Sequence, residues 1–470
     1  MKLIYGVKDR PSVPRILLFA LQQLLAILAA TIAVPMIIGN GMSPSAALFG
    51  AGVGTIVYLL FTKFKSPVFL GSSFAFLGSM AAAFAGGVTA SLGYLGLIIG
   101  AVFAGLVYVV IAIIVKFAGV KWINKIMPAV VIGPTVAIIG LSLAGNAVGD
   151  LTTGAVTSEA GAVLASPYVC LVCGLVTLAV TIVCSVYGKK LLKMIPFIIG
   201  ILAGYAVAGI FTGIGYWAKV DALKVIDFSK FNNMQWYPDF AFVKAFIKPD
   251  YGTTNIGTYI GTIAVAYIPV AFVVFAEHIA DHKNISSIIE TDLLTDPGLT
   301  RTLLGDGIGS MAGALFGGCP NTTYGESVGC VAISGNASVV TILTTAVMAI
   351  VASFIAPFVT FLSTIPPCVM GGVCIALYGF IAVSGLKMIQ KVDLGDNRNL
   401  FVVSVILIAG VGGLTLTFGK ITITSVACSL ILGILTNLLV NIKSKKGKAN
   451  QTEGTAEEKI EATEDGKEAE

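Results

Sequence analysis

Two short stretches combine residues that could do chemistry with otherwise apolar surroundings. The first, residues 276–282 (AEHIADH), lies at the end of a long apolar segment and contains both histidines of the chain, His278 and His282. Glu277 and Asp281 are four residues apart, so on a helix they share one face. Two carboxylates this close in a low-dielectric setting are candidates for proton binding, and ionisable groups within an apolar segment are usually functional. A segment that ended before the cluster would instead leave it in solvent, so both interpretations stay open.

The second stretch is Cys319–Gly329, in which Asn-Thr-Thr-Tyr-Gly is poor helix sequence and Glu326 follows directly. Residues 66–76 occupy the corresponding place in the first half of the chain and also begin with proline, then small polar and aromatic residues. Irregular backbone at membrane depth is tolerated only where it is buried in protein or lines a cavity. An extended stretch followed by a half-helix would point free backbone N–H groups inward, and a carboxylate in the first turn is favoured by the helix dipole. Two ordinary loops, with Glu326 as a helix cap, are the alternative.

Together these stretches predict a pocket with backbone donors on two half-helices and carboxylate acceptors beside them. A planar ligand with adjacent N–H and C=O groups would satisfy both, and Phe74 or Tyr324 could stack on it. Cys170 and Cys173 form C-x-x-C on an apolar segment, where small buried side chains are the usual explanation. Because no nucleophile–base pair or metal-ligand set is apparent, we expect neither an enzyme nor a metal site.

Composition indicates the elements that must position these residues. The 470-residue chain is 56% hydrophobic and 11% charged, with mean hydropathy +0.94, whereas soluble domains carry about 25% charged residues. We therefore predict an all-α polytopic membrane protein, interrupted by the short extended stretches in its third and tenth segments. Fourteen apolar segments are predicted: 16–38, 46–61, 68–83, 92–115, 127–147, 168–186, 195–214, 256–280, 303–316, 322–333, 339–362, 369–383, 400–416 and 421–442.

The positive charges predict the orientation. With the N-terminus in the cytoplasm, 23 of the 29 Lys and Arg residues fall on the cytoplasmic side, as the positive-inside rule requires. The predicted regions are a cytoplasmic N-terminus (1–15), a first seven-span repeat (16–216), an extracytoplasmic loop (217–255), a second repeat (256–442) and a disordered cytoplasmic tail (443–470). The net charge of +5 gives no indication of nucleic-acid binding.

An internal repeat supports this division. Residues 126–133 and 365–372 both follow the pattern I-x-P-x-V-x-x-G, each with a further glycine seven residues on, Gly140 and Gly379. They open the fifth and twelfth segments, which cross in opposite senses under the predicted topology. Inverted repeats in transporters place the substrate site near the midplane of the membrane.

These motifs are similar to those of the uracil-transporting branch of the nucleobase–ascorbate transporter family. The similarity covers about residues 6–443. It is densest at 21–24 (LQQL), 70–76 (LGSSFAF), 276–279 (AEHI), 296–299 (DPGL) and 320–326 (PNTTYGE). The wider family tends to carry Gln-Asn where this chain has Gly325-Glu326, which favours uracil over xanthine, urate or ascorbate.

The resemblance implies a core domain and a gate domain, short β-strands in the third and tenth segments beside the substrate, and specific substrate-binding residues. Those residues are Glu277, Glu326, Phe74, Gly325, Tyr324 and Ala30. Both glutamates would accept the N–H groups of uracil, the backbone N–H groups of Phe74 and Gly325 would meet its carbonyls, and the other two would line the pocket. Such proteins are proton symporters of the plasma membrane and usually homodimers. The expected partners are thus uracil, protons, membrane lipid and a second copy, with a proton gradient in place of a cofactor.

The candidates for proton coupling are Glu277, Asp281, His278 and His282. Two departures from the family pattern affect this proton route. Well-known members have histidine four residues after the first glutamate, where this chain has Asp281 followed by His282. The first span often reads Gln-His where this chain has Gln22-Gln23. A purine permease of the same family, an anion transporter of the same fold and a non-transporting uracil sensor remain the alternatives.

Overall fold

The computed structural model describes residues 3–119, 128–158, 161–189, 191–247, 249–418 and 421–442. The helices of the first half are α1 Val13–Ile38, α2 Pro44–Phe61, α3 Leu77–Ala83, α4 Ala90–Ala118, α5 Ala129–Ser142, α6 Ala144–Asp150, α7 Pro167–Tyr187, α8 Leu191–Met194 and α9 Pro196–Ala218. Those of the second half are α10 Ala241–Phe246, α11 Ile256–Ile289, α12 Leu299–Gly317, α13 Gly325–Ser334, α14 Val339–Ala352, α15 Ala356–Thr364, α16 Pro367–Ile389, α17 Asn397–Val411 and α18 Ser425–Val440.

The strands are short and form two antiparallel pairs. They are β1 Leu70–Ser72, β2 Asn321–Thr323, β3 Leu416–Phe418 and β4 Ile421–Ile423. Single turns of tighter or wider helix occur at Phe74–Phe76, Asp221–Leu223, Phe228–Asn233 and Leu294–Gly298.

The helix lengths define a multi-pass membrane protein. Within the described residues, eight helices are long and apolar enough to cross a membrane, or up to nine if α14 and α15, bent by 84°, form one span. The predicted fourteen segments each overlap a helix, but several are too short to cross alone, because a span needs about 20 residues. The third and tenth segments are of this kind, since each divides into a strand and a short helix.

Paired glycines bring α2 and α12 together backbone to backbone. A Cβ on Gly309 would lie 2.7 Å from the carbonyl oxygen of Gly54, and one on Gly317 would lie 2.7 Å from Ala47 Cα. Small residues at such crossings let helices in membranes approach closely. Because β1 follows α2 and β2 follows α12, this contact sets the two strands side by side.

The strands β1 and β2 join the two halves of the chain near the centre of the molecule. Leu70 pairs with Thr323 and Ser72 with Asn321. All six residues of the pair are buried. The prediction of short extended stretches in the third and tenth segments is therefore confirmed.

Several predicted boundaries are wrong, three of them by five residues or more. The twelfth segment was expected to end at Val383, but α16 continues to Ile389. The eighth segment was expected to end at Ala280, but α11 continues to Ile289, because Ile285 and Ile289 extend its buried face by further helical turns. The thirteenth was expected to reach Leu416, but α17 ends at Val411 and the chain then enters the β3–β4 hairpin. Gly413, with φ of 70°, adopts there a conformation that suits glycine. Residues 126–127 of the repeat motif and the predicted tail 443–470 lie outside the described residues.

The region predicted as an outer loop, 217–255, packs against helices at both of its ends. The hydroxyl of Thr212 on α9 accepts a hydrogen bond from the Val225 backbone N–H at 3.0 Å. Lys230 Nζ donates to the carbonyl oxygen of Ser363 on α15 at 2.5 Å, and Lys244 Nζ donates to that of Gly41 at 2.6 Å. The region is thus anchored to several helices.

Candidate substrate-binding pocket

A cavity of about 360 Å³ lies between α11 and α13 on one side and helices α1, α5, α9 and α16 on the other. This volume is within the range of small-molecule sites. Glu277, Asp281 and Glu326 all line it. Apolar side chains face them from the opposite walls: Ala26, Val136, Phe197, Phe380 and Ile381. The acidic wall thus faces a largely apolar one, to which Ser185, Ser384 and Lys193 add polar groups.

The N-terminus of α13 forms part of the acidic wall. Tyr324 precedes the helix in extended conformation, Gly325 is its first residue and Glu326 lies in its first turn. The first N–H groups of a helix have no partner within the helix, so they are available to a ligand. A Cβ on Gly325 would lie 3.9 Å from Asp281 Oδ1, so this half-helix begins close to the α11 carboxylates.

The carboxylates of α11 lie within protein and not in a solvated loop. Asp281 is 7% exposed and accepts a hydrogen bond from Thr323 Oγ1 at 2.9 Å, while Glu277 is half-buried. Among the described residues, neither these two nor Glu326 forms an ion pair with a basic side chain. The interpretation in which the segment ends before the cluster is therefore wrong, and the pocket carries three carboxylates that can accept hydrogen bonds.

A polar bridge from α1 fixes the strand–helix junctions. Ser327 Oγ accepts a hydrogen bond from Gln23 Nε2 at 2.5 Å and one from the Phe69 backbone N–H at 3.0 Å. On the other side of β1, the Leu70 backbone N–H donates to Thr55 Oγ1 at 2.9 Å. The start of α13 and the start of β1 are thereby held by the same side chain.

Three of the predicted substrate-binding residues lie beside this cavity without lining it. Ala30 and Tyr324 are buried, and the Tyr324 hydroxyl donates to the carbonyl oxygen of Ser72 at 2.7 Å. The Phe74 ring packs edge-on against Tyr378, with ring centroids 5.6 Å apart. Phe74 also lines a second cavity, of about 410 Å³, near the opposite ends of α1 and α5. The structure thus brings Glu277, Asp281, Gly325 and Glu326 into one pocket, whereas Phe74 lines the other cavity.

The two histidines face away from the pocket. His278 Nδ1 lies 2.6 Å from Asp306 Oδ2, and His282 Nε2 lies 2.7 Å from the Tyr58 hydroxyl. The structure therefore does not place them with Glu277 in the pocket, although the sequence grouped all of them as candidates for proton coupling. Sequence reasoning overlooked Asp306, although an acidic residue within a predicted apolar segment is itself a signal of function.

No group of three or more His, Cys, Asp or Glu side chains in the described ranges could hold a metal ion. Cys170 and Cys173 are buried, unpaired thiols.

The sequence matches the family model Xan_ur_permease, described as "Permease family", over residues 14–419. Among curated relatives, the uracil permease of Bacillus caldolyticus is 41% identical over 93% of this chain and 95% of its own length. That of Bacillus subtilis (strain 168) is 38% identical over 96% and 98%, and that of Escherichia coli (strain K12) is 33% identical over 93% and 94%.

Solved structures of similar fold come from anion transporters. The transmembrane domain of the cyanobacterial bicarbonate transporter BicA matches with a TM-score of 0.61 at 15% identity, covering 92% of this chain and 99% of that one. Murine Slc26a9, an anion transporter in the inward-facing state, matches with a TM-score of 0.60 at 13% identity, covering 93% and 69%. At this identity the likeness concerns the fold alone.

The family match and the full-length permease relatives identify a multi-pass membrane transporter rather than an enzyme. The chain belongs to the permease family, as its match over most of its length and its relatives above 30% identity establish.

Proposed function

We propose that this protein is a proton-coupled symporter that imports uracil across the plasma membrane. The observation that carries the proposal is the convergence of Glu277, Glu326 and the N-terminus of α13 on one pocket. The full-length relatives named uracil permeases support the choice of substrate.

The pocket chemistry matches the polar edge of uracil. Carboxylates accept hydrogen bonds, so Glu277 and Glu326 would bind the two ring N–H groups. The free N–H of Gly325 at the start of α13 would donate to one carbonyl, and that of Phe74 to the other. Ala30 and Tyr324 would complete the wall behind the ring.

Proton coupling would arise at Glu277 with Asp281. Three carboxylates without a basic partner are costly to ionise together in a buried setting. A proton bound at Glu277 would lower that cost and allow uracil to bind. A ligand drives a conformational change only by its preference for one state. Binding of both uracil and a proton would therefore favour the state that moves across the membrane.

The transport movement would follow from two inverted seven-segment repeats, with both termini in the cytoplasm. The glycine contacts of α2 with α12 support a rigid core domain that carries the acidic wall. A Cβ on Gly133 of α5 would lie 3.0 Å from the carbonyl oxygen of Gly385 on α16, which supports a second rigid unit, the gate domain. Sliding of core against gate would open the two cavities alternately. We also propose a homodimer, as the family resemblance implies.

Uptake of labelled uracil into proteoliposomes tests the proposal. We expect uptake to rise with an inward proton gradient and to be lost in Glu326→Ala, since no other carboxylate stands at the start of α13. Glu290→Ala, on an exposed glutamate at the end of α11, is the matched control and should transport normally. Uracil uptake that survives Glu326→Ala, or that is independent of the gradient, would contradict the assignment.

Competition by thymine, xanthine and urate distinguishes the alternatives. Stronger competition by a purine than by unlabelled uracil would favour a purine permease. Transport of bicarbonate or chloride would favour an anion transporter, whose fold this chain shares. The acidic wall argues against an anion, because an anion beside three carboxylates is repelled.

A further inference from the structure

A third, much smaller cavity lies behind β2, next to Asp306 and Tyr108. We call it the rear cavity. Its lining consists of Phe76, Ala104, Gly105, Tyr108, Asp306, Ser310, Asn321 and Thr322. Its interior, about 10 Å³ for the centre of a water-sized particle, has room for one such particle. Asn321 and Thr322 of β2 line the rear cavity, whereas the next residue, Thr323, donates to Asp281 on the pocket side.

Two buried polar groups line the rear cavity without any hydrogen-bond partner among the described residues. These are Asp306 Oδ1 and the Tyr108 hydroxyl. Asp306 is 1% exposed and Tyr108 is 3% exposed. Leaving a buried polar group unpaired is unfavourable, and such groups in folded proteins are commonly satisfied by internal water.

We propose that the rear cavity holds one water molecule, which accepts a hydrogen bond from the Tyr108 hydroxyl and donates one to Asp306 Oδ1. Water fits both groups, because a phenol must find an acceptor for its hydrogen and a carboxylate must find a donor. A monovalent cation would satisfy the carboxylate but leave the phenol hydrogen without an acceptor. The second hydrogen of the water would be shared with the hydroxyl or amide oxygens that line the same cavity.

This water completes a hydrogen-bonded chain to α11. Asp306 Oδ2 lies 2.6 Å from His278 Nδ1, and His278 Nε2 lies 3.0 Å from Thr302 Oγ1. The Thr302 hydroxyl donates its hydrogen to the Leu299 carbonyl oxygen at 3.1 Å, so its oxygen accepts from His278 Nε2–H. Because Nε2 carries this hydrogen, the 2.6 Å contact between His278 Nδ1 and Asp306 Oδ2 requires one further proton. The chain therefore runs from Tyr108 through the water and Asp306 to His278.

His278 is adjacent in sequence to Glu277, so this series of hydrogen bonds fixes how α11 is rotated about its own axis. That rotation determines how Glu277 and Asp281 face the pocket. Tyr108, Asp306 and His278 are thus positioning residues for the substrate-binding carboxylates, a role that rests on the proposed function. Loss of the water should weaken uracil binding more than it slows the transport cycle.

The test compares Tyr108→Phe with Tyr267→Phe in the purified full-length protein. The Tyr267 hydroxyl is also buried without a hydrogen-bond partner among the described residues, but it does not line the rear cavity. We expect Tyr108→Phe to weaken uracil affinity by about three- to tenfold, as loss of one hydrogen bond does, and to raise KM for uptake with less change in kcat. Tyr267→Phe should change uracil affinity by less than about twofold.

A structure at a resolution that shows internal water tests the site without relying on uracil. We expect a peak within hydrogen-bonding distance of both Tyr108 Oη and Asp306 Oδ1, and its loss or displacement in Tyr108→Phe. A wild-type map without this peak, a sodium-dependent peak at metal–oxygen distances, or equal effects of the two substitutions on uracil affinity would overturn the proposal. Failure of the wild-type protein to bind uracil would overturn the proposed function. The presence or absence of the peak would still decide whether the rear cavity holds the water.

Discussion

Replacing Gly54 by alanine tests whether the close approach of α2 to α12 and β2 holds the pocket in shape. A Cβ at this position would lie 2.6 Å from Asn321 Nδ2 and 2.7 Å from the carbonyl oxygen of Gly309. Ordinary contacts begin near 3.4 Å, so both neighbours must retreat by about 0.7 to 0.8 Å. Neither neighbour is the end of a long, flexible side chain that could simply swing away.

The magnitude follows from opposing contributions. Overpacking of this kind costs about 1–3 kcal/mol. Displacing Asn321 also weakens the hydrogen bond from its Nδ2 to the Gly50 carbonyl oxygen, 2.9 Å long, by about 1 kcal/mol. Alanine recovers about 1 kcal/mol through its higher helix propensity. The net destabilisation is therefore about 1–3 kcal/mol. If about 1 kcal/mol of this strain moves β2 and the start of α13, uracil affinity falls about fivefold.

The assay is the thermal unfolding temperature of the detergent-purified protein, measured with and without uracil. We expect Gly54→Ala to unfold a few degrees lower and to show a smaller uracil-induced rise, because the stabilisation by a bound ligand increases with the logarithm of its affinity. Gly209→Ala, within α9, is the matched control, since a Cβ there meets no atom within 4 Å. If both variants unfold alike and respond alike to uracil, the reasoning about the glycine contact is refuted.

Two further substitutions test a hydrogen bond beside the pocket and an ion pair on the surface. Thr323→Val removes the 2.9 Å hydrogen bond to Asp281. Because hydrogen bonds to carboxylates are strong, we expect KM for uracil uptake to rise about tenfold or more. An unchanged KM would show that Thr323 does not orient the carboxylate. Lys65→Ala breaks an exposed ion pair with Asp296, 2.6 Å long with side chains 37% and 60% exposed. Such pairs contribute about 1 kcal/mol or less, so uptake should match wild type and the unfolding temperature should fall by no more than about 5 °C.

The sequence identified the elements of the pocket but not their pairing. The poor helix sequence before Glu326 indicated an extended stretch at that depth, and the structure has β2 there. Hydrophobic periodicity is a local signal, whereas the register of β1 against β2 depends on residues far apart in sequence. The register also depends on the glycine contacts of α2 with α12, which a single sequence does not reveal as partners.

The histidines show a second limit of sequence reasoning. Placing Glu277 and Asp281 on one face required only the helical repeat, and they do share one wall of the pocket. His278 and His282 follow those residues by one position, so they point about a quarter-turn away, towards Asp306 and Tyr58. Grouping all four residues by proximity in sequence ignored this rotation. The choice of Ala30 rested on family resemblance, whereas Tyr324 and Phe74 were also candidates for stacking on a planar ligand; none of the three lines the cavity.

The β1–β2 pair has a consequence for biogenesis. Leu70 and Thr323 are partners across 253 positions of chain, and at about 5–20 residues per second a ribosome needs roughly 13–50 s to make that interval. During this time β1 lacks the backbone partners that β2 supplies, although Thr55 can already bond Leu70, and unpaired backbone groups are not tolerated in lipid. The third segment must therefore be sheltered by water or by the insertion machinery until the tenth emerges. The pocket is accordingly among the last parts of the molecule to form.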